Sequence, residues 1–157
     1  MRKNIVGTAT RSAPVAEGSW MDLERHAEVD VTSEDAAHPV ESAFHAGDRE
    51  CWRAAEPGAQ TLRLHFDNPQ HLQRIRLVFT EREVARTQEF VLRWSADKGR
   101  TYRDVVRQQY TFSPPETVRE VEDYTVQLDD VTTLELHIVP DVSGGMARAS
   151  LAEWAIE

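Results

Sequence analysis

The chain has 157 residues, long enough for one domain with a sizeable core, and its 40% hydrophobic and 29% charged residues are typical of a globular protein. Its 27 acidic against 18 basic residues give a net charge of −9, which argues against nucleic acid and membrane surfaces as partners. The single cysteine excludes an internal disulfide, and no apolar stretch is long enough for a signal peptide or a membrane span, so the sequence predicts a cytoplasmic protein.

The first 19 residues are small and polar and show no hydrophobic periodicity. This composition predicts a flexible N-terminal tail over residues 1–19. Trp20 is the first large apolar residue after it that could dock on a core. We therefore expect a single domain over residues 20–157.

From residue 61 onwards, apolar and polar residues alternate in short segments, which is the pattern of half-buried strands. No segment has the periodicity of a helix of three turns. The predicted strands cover 61–66, 73–79, 89–94, a segment that begins at Tyr102, 124–128, 134–138 and 152–156. Seven or more strands separated by polar turns predict an all-β protein, an antiparallel β-sandwich or jelly roll.

If successive strands run antiparallel, their connections alternate between the two ends of the sandwich. One end then receives the short connections 67–71, 96–100 and 130–132. The other, which we name the long-loop end, receives 45–60, 80–88, 108–123 and 140–148. Long loops carried by a rigid scaffold are where binding residues concentrate. The sequence therefore predicts that the functional site lies at the long-loop end.

The most informative segment is a hairpin. Phe90, Leu92 and Trp94 alternate with Glu89, Val91 and Arg93, the sequence 95–99 (SADKG) supplies a turn, and a second strand starts at Tyr102. A strand followed by Ser-x-Asp-x-Gly and an aromatic residue resembles the central hairpin of discoidin domains, the coagulation factor 5/8 type C modules.

Two further segments are similar to the same family. Cys51-Trp52 leads through Pro57-Gly58 into a strand that ends at Phe66, and the C-terminal part reads Leu151-Ala152-Glu153-Trp154. This set also resembles bacterial carbohydrate-binding relatives within the galactose-binding-domain-like superfamily. The resemblance implies that the chain has the galactose-binding-domain-like fold and that it is a non-catalytic binding module.

The resemblance also bears on calcium. Family members often carry Asp-Gly before the Trp, where the Asp helps to hold a structural calcium ion with a C-terminal Glu. The corresponding positions here are His45-Ala46, followed by Gly47-Asp48, while Glu153 matches the acidic position. Because calcium requires six or more oxygen ligands, we predict no cofactor, and a calcium ion near Asp48 and Glu153 stays open.

The long-loop end is rich in aromatic, Arg, Gln and Glu residues. Aromatic faces stack on sugar rings, and planar polar groups pair with sugar hydroxyls. The predicted ligand-binding residues are Arg82, Glu83, Arg86, Gln88, Gln109, Tyr110, Phe112, Arg119 and Arg148. The alternative is that Tyr110 and Phe112 plug the end of the core while the Arg and Glu side chains pair with each other.

The sequence carries no motif for catalysis. It has no G-x-S-x-G, no phosphate-binding glycine loop, and no metal-binding spacing among its six histidines. Trp52 and Trp94 are predicted core residues, and Cys51 is predicted to be a small hydrophobe rather than a nucleophile. We therefore predict a carbohydrate-binding module that is not an enzyme, with an intracellular protein-interaction adaptor as the alternative. A third hypothesis, a domain that binds DNA strand breaks, is opposed by the acidic charge.

Overall fold

A computed structural model describes residues 10–11, 20–45 and 50–157. The strands are β1 Thr10–Arg11, β2 Ala27–Val31, β3 Trp52–Arg53, β4 Gln60–Thr80, β5 Arg86–Ser95, β6 Arg103–Phe112, β7 Arg119–Val139, β8 Ser150–Leu151 and β9 Glu153–Ile156. A short helix α1 covers Leu23–His26, and a 3-10 helix covers Val40–Phe44. In these three ranges no helix has the length and apolar character needed to cross a membrane.

The strands form an antiparallel sandwich that is held together by β4 and β7, which take part in both layers. The first half of β4 pairs with β2 and with the second half of β7, beyond which β5 and β6 follow in the order β2-β4-β7-β5-β6. The second half of β4 pairs with β9 and with the first half of β7, which also pairs with β1. The predicted all-β sandwich is thus confirmed.

The strands differ from the prediction in length. The segments 67–71 and 130–132 were expected to be turns that separate strands, but β4 and β7 run through them and are 21 residues long each. Pairing slips between His65 and Arg74, and Asp130 has a φ of 57°. Such irregularities bend a pair of strands without ending it, which lets β4 and β7 pass from one layer to the other.

The core lies between the two layers and is built from the inward-facing residues of the strands. Trp52 and Trp94 are at most 2% exposed, which confirms their prediction as core residues. The indole Nε1 of Trp52 donates to the carbonyl of Ser33 at 3.0 Å, so its polar atom is satisfied. The largest fully buried side chains also include Trp154, Phe79, Phe90, Phe112, Leu62, Leu64, Leu72, Ile75, Leu77 and Leu92.

The hairpin turn between β5 and β6 is confirmed at the short-loop end. Ser95 Oγ donates to Asp97 Oδ1 at 2.6 Å, and Asp97 also accepts from the Thr101 hydroxyl and backbone N–H at 2.6 and 2.9 Å. The hydrogen bonds from Ser95 and Thr101 hold the pKa of Asp97 well below its usual range. Gly99 has a φ of +85°, as the turn requires.

The predicted tail, residues 1–19, lies outside the described residues except for Thr10–Arg11, which pair with Tyr124 and Thr125 of β7. The domain itself is anchored from Trp20 onwards. The Trp20 ring stacks on the guanidinium of Arg74 at 4.5 Å, and the Met21 N–H donates to the carbonyl of Ile156 at 2.7 Å.

Candidate functional site

The long-loop end is built from four connections, 54–59, 81–85, 113–118 and 140–149. Backbone hydrogen bonds tie these loops to each other and to the strands. Gly58 N donates to Ala147 O at 3.2 Å, and Glu81 N donates to Val118 O at 2.8 Å. The predicted grouping of the loops at one end follows from the strand pairing. The second and third loops are shorter than predicted because β5 begins at Arg86 and β6 extends to Phe112.

The buried Arg86 forms hydrogen bonds to two of the loops. The Arg86 side chain is fully buried, and its Nε donates to Glu81 Oε1 at 2.7 Å. Its Nη1 donates to the carbonyl of Pro140 at 2.7 Å and to Gln88 Oε1 at 3.2 Å, and the guanidinium stacks on the Phe112 ring at 4.9 Å. One side chain therefore connects the loop after β4 with the loop after β7.

Three of the predicted ligand-binding residues are placed in this buried cluster rather than on the surface. Arg86, Gln88 and Phe112 are 4%, 0% and 0% exposed. The reason is the alternation of β5, which puts Arg86 and Gln88 on the same inward face as Phe90, while Phe112 lies opposite Arg86 on β6. This corrects their placement in loops, and it corresponds to the alternative in which Phe112 plugs the core and Arg pairs with Glu.

Three more predicted residues lie on strands beside the loops. The Tyr110 ring meets Phe112 edge-on at 5.0 Å, and its hydroxyl donates to the carbonyl of Arg119 at 3.2 Å. Gln109 Nε2 donates to Glu89 Oε2 at 3.3 Å on the outer face of the sheet. Arg119 is exposed at the start of β7. None of the three lines the cleft that the loops enclose.

That cleft has a volume of about 150 Å³ and opens between the loop after β4 and the short strands β3 and β8. We name it the arginine cleft. It is lined by Cys51, Arg53, Thr80, Glu81, Arg82, Glu83, Arg148 and Ser150. The structure thus brings together the three remaining predicted residues, Arg82, Glu83 and Arg148, all of them exposed.

The other lining residues are absent from the predicted site. Arg53 pairs with Ser150 because β3 and β8 run antiparallel, and this long-range pairing places both beside the end of β4 at Thr80. The sequence around Arg53 offers one indication of its exposure, because the charged Arg53 lies between the apolar residues Trp52 and Ala54, which are both buried. Strand β3 has only two residues, which is too few for an alternating pattern to identify a strand from sequence.

The charges in the cleft are arranged asymmetrically. Burial raises the pKa of Glu81, but hydrogen bonds from Arg86 and from the backbone N–H groups of Glu83 and Val84 outweigh it and hold that pKa below its usual value. Burial raises the pKa of the Cys51 thiol, with Arg53 opposing this effect. Glu81 is therefore an anion whose charge is neutralised by the buried Arg86, and Cys51 is an uncharged thiol.

The described residues contain no group of three or more His, Cys, Asp or Glu side chains that could hold a metal ion. Glu153, one of the two acidic residues considered as calcium ligands, is 9% exposed, and its Oε2 lies 3.5 Å from Arg76 Nε. Asp48, the other, lies outside the described residues. The prediction of no cofactor is therefore untested at this position, and a calcium ion near Asp48 and Glu153 stays open.

No protein-family model matches the sequence, and no curated protein is similar to it in sequence. Solved structures share its fold. The CBM32-1 and CBM32-2 domains of Clostridium perfringens ZmpB match with a TM-score of 0.68 at 13% identity, over 99% of this chain and 42% of that chain. The family 32 CBM of C. perfringens NanJ, in complex with galactose, matches with a TM-score of 0.62 at 14% identity, over 87% and 96% of the two chains.

A third match is the CBM32 of AlyQ in complex with 4,5-unsaturated mannuronic acid, with a TM-score of 0.62 at 13% identity, over 83% of this chain and 93% of that chain. These likenesses show that the chain has the galactose-binding-like fold of carbohydrate-binding modules. The chain spans less than half of the ZmpB chain, which holds two such domains.

Proposed function

We propose that the chain is a non-catalytic carbohydrate-binding module and that it binds its sugar in the arginine cleft. The observation that carries this proposal is the position of the cleft, at the long-loop end of a galactose-binding-like sandwich, with exposed polar side chains from separate parts of the chain. A fold alone does not establish a function, so the proposal rests on this site as well as on the fold.

The chemistry of the lining suits a sugar. Thr80 and Ser150 carry hydroxyl groups, Glu83 carries an acceptor, and the arginines carry several donors each in a planar fork. Sugar hydroxyls both donate and accept hydrogen bonds, so they require such a mixed set. A volume of about 150 Å³ fits about one sugar ring, which favours recognition of a single residue of a glycan.

The site is also built to keep its shape. The loop that carries Arg82 and Glu83 is fixed by Glu81, which accepts from Arg86 and from two backbone N–H groups of the same loop. A loop that is already ordered loses less conformational entropy when it binds a ligand. The modules of NanJ and AlyQ, whose structures contain galactose and an unsaturated mannuronic acid, support a sugar ligand only through their shared fold.

The proposal is tested by screening the full chain against a glycan array and measuring the best ligand by calorimetry. We expect saturable binding, and we expect Arg148→Ala to weaken it about tenfold because a hydrogen bond to a charged group is lost. The matched control is Arg100→Ala, an exposed arginine in the turn at the other end of the sandwich, which should leave the affinity unchanged. Tyr110→Ala should also leave it unchanged.

Binding by no glycan class would contradict the proposal, as would an Arg148→Ala variant that binds like the Arg100→Ala control. Capture of a stoichiometric protein partner in place of a glycan would favour the alternative of a protein-interaction adaptor. Among the described residues, no observed feature favours a protein partner over a sugar as the ligand.

A further inference from the structure

Three arginines that make no ion pair within residues 10–11, 20–45 and 50–157 line the arginine cleft. Arg53, Arg82 and Arg148 are exposed, and none of them makes an ion pair or a side-chain hydrogen bond with another described residue. Most other described arginines have an acidic partner. The pairs are Arg63–Glu135, Arg74–Asp123, Arg76–Glu153, Arg86–Glu81, Arg93–Asp104 and Arg107–Glu89. The guanidinium groups of the cleft are thus available to a ligand.

The acidic groups of the cleft do not cancel this charge. Glu81 is already paired with the buried Arg86, which leaves Glu83 as the one uncompensated carboxylate in the lining. The Cys51 thiol is neutral because burial raises its pKa. Among the described lining residues, three guanidinium groups without an ion-pair partner against one such carboxylate make the cleft locally positive in a chain whose net charge is −9. A local field of opposite sign attracts an anionic ligand to this one position.

We propose that the ligand of the arginine cleft is an acidic sugar, whose carboxylate or sulfate group is held by Arg53, Arg82 and Arg148. This inference rests on the proposed function, since it specifies the sugar that the module recognises. Guanidinium groups bind oxyanions through paired N–H donors, and these charge-assisted bonds are about twice as strong as neutral ones. The hydroxyls of Thr80 and Ser150 and the carboxylate of Glu83 contact the ring hydroxyls.

The experiment compares ligands that differ only in charge. Calorimetry of the full chain is carried out with galacturonic, glucuronic and mannuronic acid oligosaccharides, with the methyl ester of each, and with galactose and galactose 6-sulfate. We expect at least one acidic sugar to bind about tenfold or more tightly than its neutral counterpart, and this advantage to shrink at high salt. Tighter binding of a uronic acid identifies a carboxylate, and tighter binding of the sulfated sugar identifies a sulfate.

Two variants locate the effect. Arg82→Gln and Arg148→Gln keep hydrogen-bonding groups of similar size but remove the charge, so each should weaken the acidic sugar about tenfold and the neutral counterpart much less. Arg100→Gln, in the turn at the opposite end, should change neither affinity. Because all three side chains are exposed, the variants should unfold at the same temperature as the parent chain, which a thermal melt verifies.

The two proposals fail in different ways. If neutral sugars bind as tightly as acidic ones, or if Arg82→Gln and Arg148→Gln weaken both kinds equally, the inference is overturned while the carbohydrate-binding function stands. If no sugar in the panel and no glycan on the array binds, both are overturned.

Discussion

At the scale of single residues, the ion pair between Arg86 and Glu81 holds the long-loop end together. Both groups are largely removed from solvent, with side chains 0% and 18% exposed. A buried charge is costly unless it is paired and hydrogen-bonded, and Arg86 satisfies this with a carboxylate, a backbone carbonyl and an aromatic face. The loop that carries part of the arginine cleft therefore depends on a residue that does not line the cleft.

We predict that Arg86→Leu lowers the free energy of unfolding by about 3–5 kcal/mol, because it leaves the carboxylate of Glu81 partly buried without its cation. The matched control is Arg107→Leu, which removes the partner of Glu89 from an exposed pair on the sheet surface, where the arginine side chain is 56% exposed. That change should cost less than about 1 kcal/mol. Urea denaturation measures both, and equal losses would contradict the structural role of Arg86.

The Arg86–Glu81 pair also predicts that the stability of the fold depends on pH. The pKa of Glu81 is lower in the folded chain than its ordinary value of 4.5, so the pair stabilises the fold above pH 4.5. This contribution is lost as the pH falls from 4.5 through the folded-state pKa. The parent chain should therefore lose stability on acidification more steeply than Glu81→Gln, which has no proton to bind there. Parallel pH profiles of the two melting temperatures would contradict the assignment.

At the scale of elements, the turn between β5 and β6 depends on a glycine with a close neighbour. Gly99 has a φ of +85°, and a Cβ added to it would lie 2.9 Å from the Tyr102 hydroxyl. Gly144 has a similar φ of +88°, but a Cβ there would meet nothing within 4 Å. The two positions separate the cost of the backbone conformation from the cost of the steric contact.

We predict that Gly144→Ala costs about 1 kcal/mol, from the left-handed backbone alone, and that Gly99→Ala costs about 1 kcal/mol more. The additional cost should disappear when both variants are compared in a Tyr102→Phe background, which removes the hydroxyl. Urea denaturation of the single and double variants measures this difference. An excess that persists without the hydroxyl would show that the contact is not its cause.

The strands also show how far the sequence predicts this molecule. Alternation in β5 identifies the strand and its inward face through Phe90 and Trp94. It does not show where β5 begins, because Arg86 and Gln88 continue the inward face with polar side chains, which in sequence resemble a loop. Their burial depends on partners such as Pro140 and Glu81 that the local pattern does not reveal.

The candidate site was predictable to the same extent. The strand count and the direction of the strands place Arg82, Glu83 and Arg148 at one end, and the structure brings them to one cleft. Arg53 and Ser150 lie in that cleft because β3 pairs with β8. Each of these strands has two residues, and most of the chain separates them in sequence. Segments this short carry no periodicity, so tertiary pairing decides their position.

At the scale of the whole molecule, charge is distributed so that one small region differs from the rest. The outer face of the sheet pairs its charged residues with each other, as in Arg63 with Glu135 and Arg93 with Asp104. The arginine cleft instead keeps its cations unpaired within the described residues. At the end where the loops are interlocked, a chain with a net charge of −9 thus carries a cluster of arginines that make no ion pair with any described residue.

The central claim is that a sugar binds at the long-loop end, in the arginine cleft. The measurement that tests it most directly is an amide chemical-shift titration of the full chain with the sugar that binds most tightly in calorimetry. We expect saturable shifts at Arg53, Thr80 to Glu83 and Arg148 to Ser150, and none in the turn 96–100. Shifts confined to that turn, or to the outer face of β5 and β6, would contradict the account.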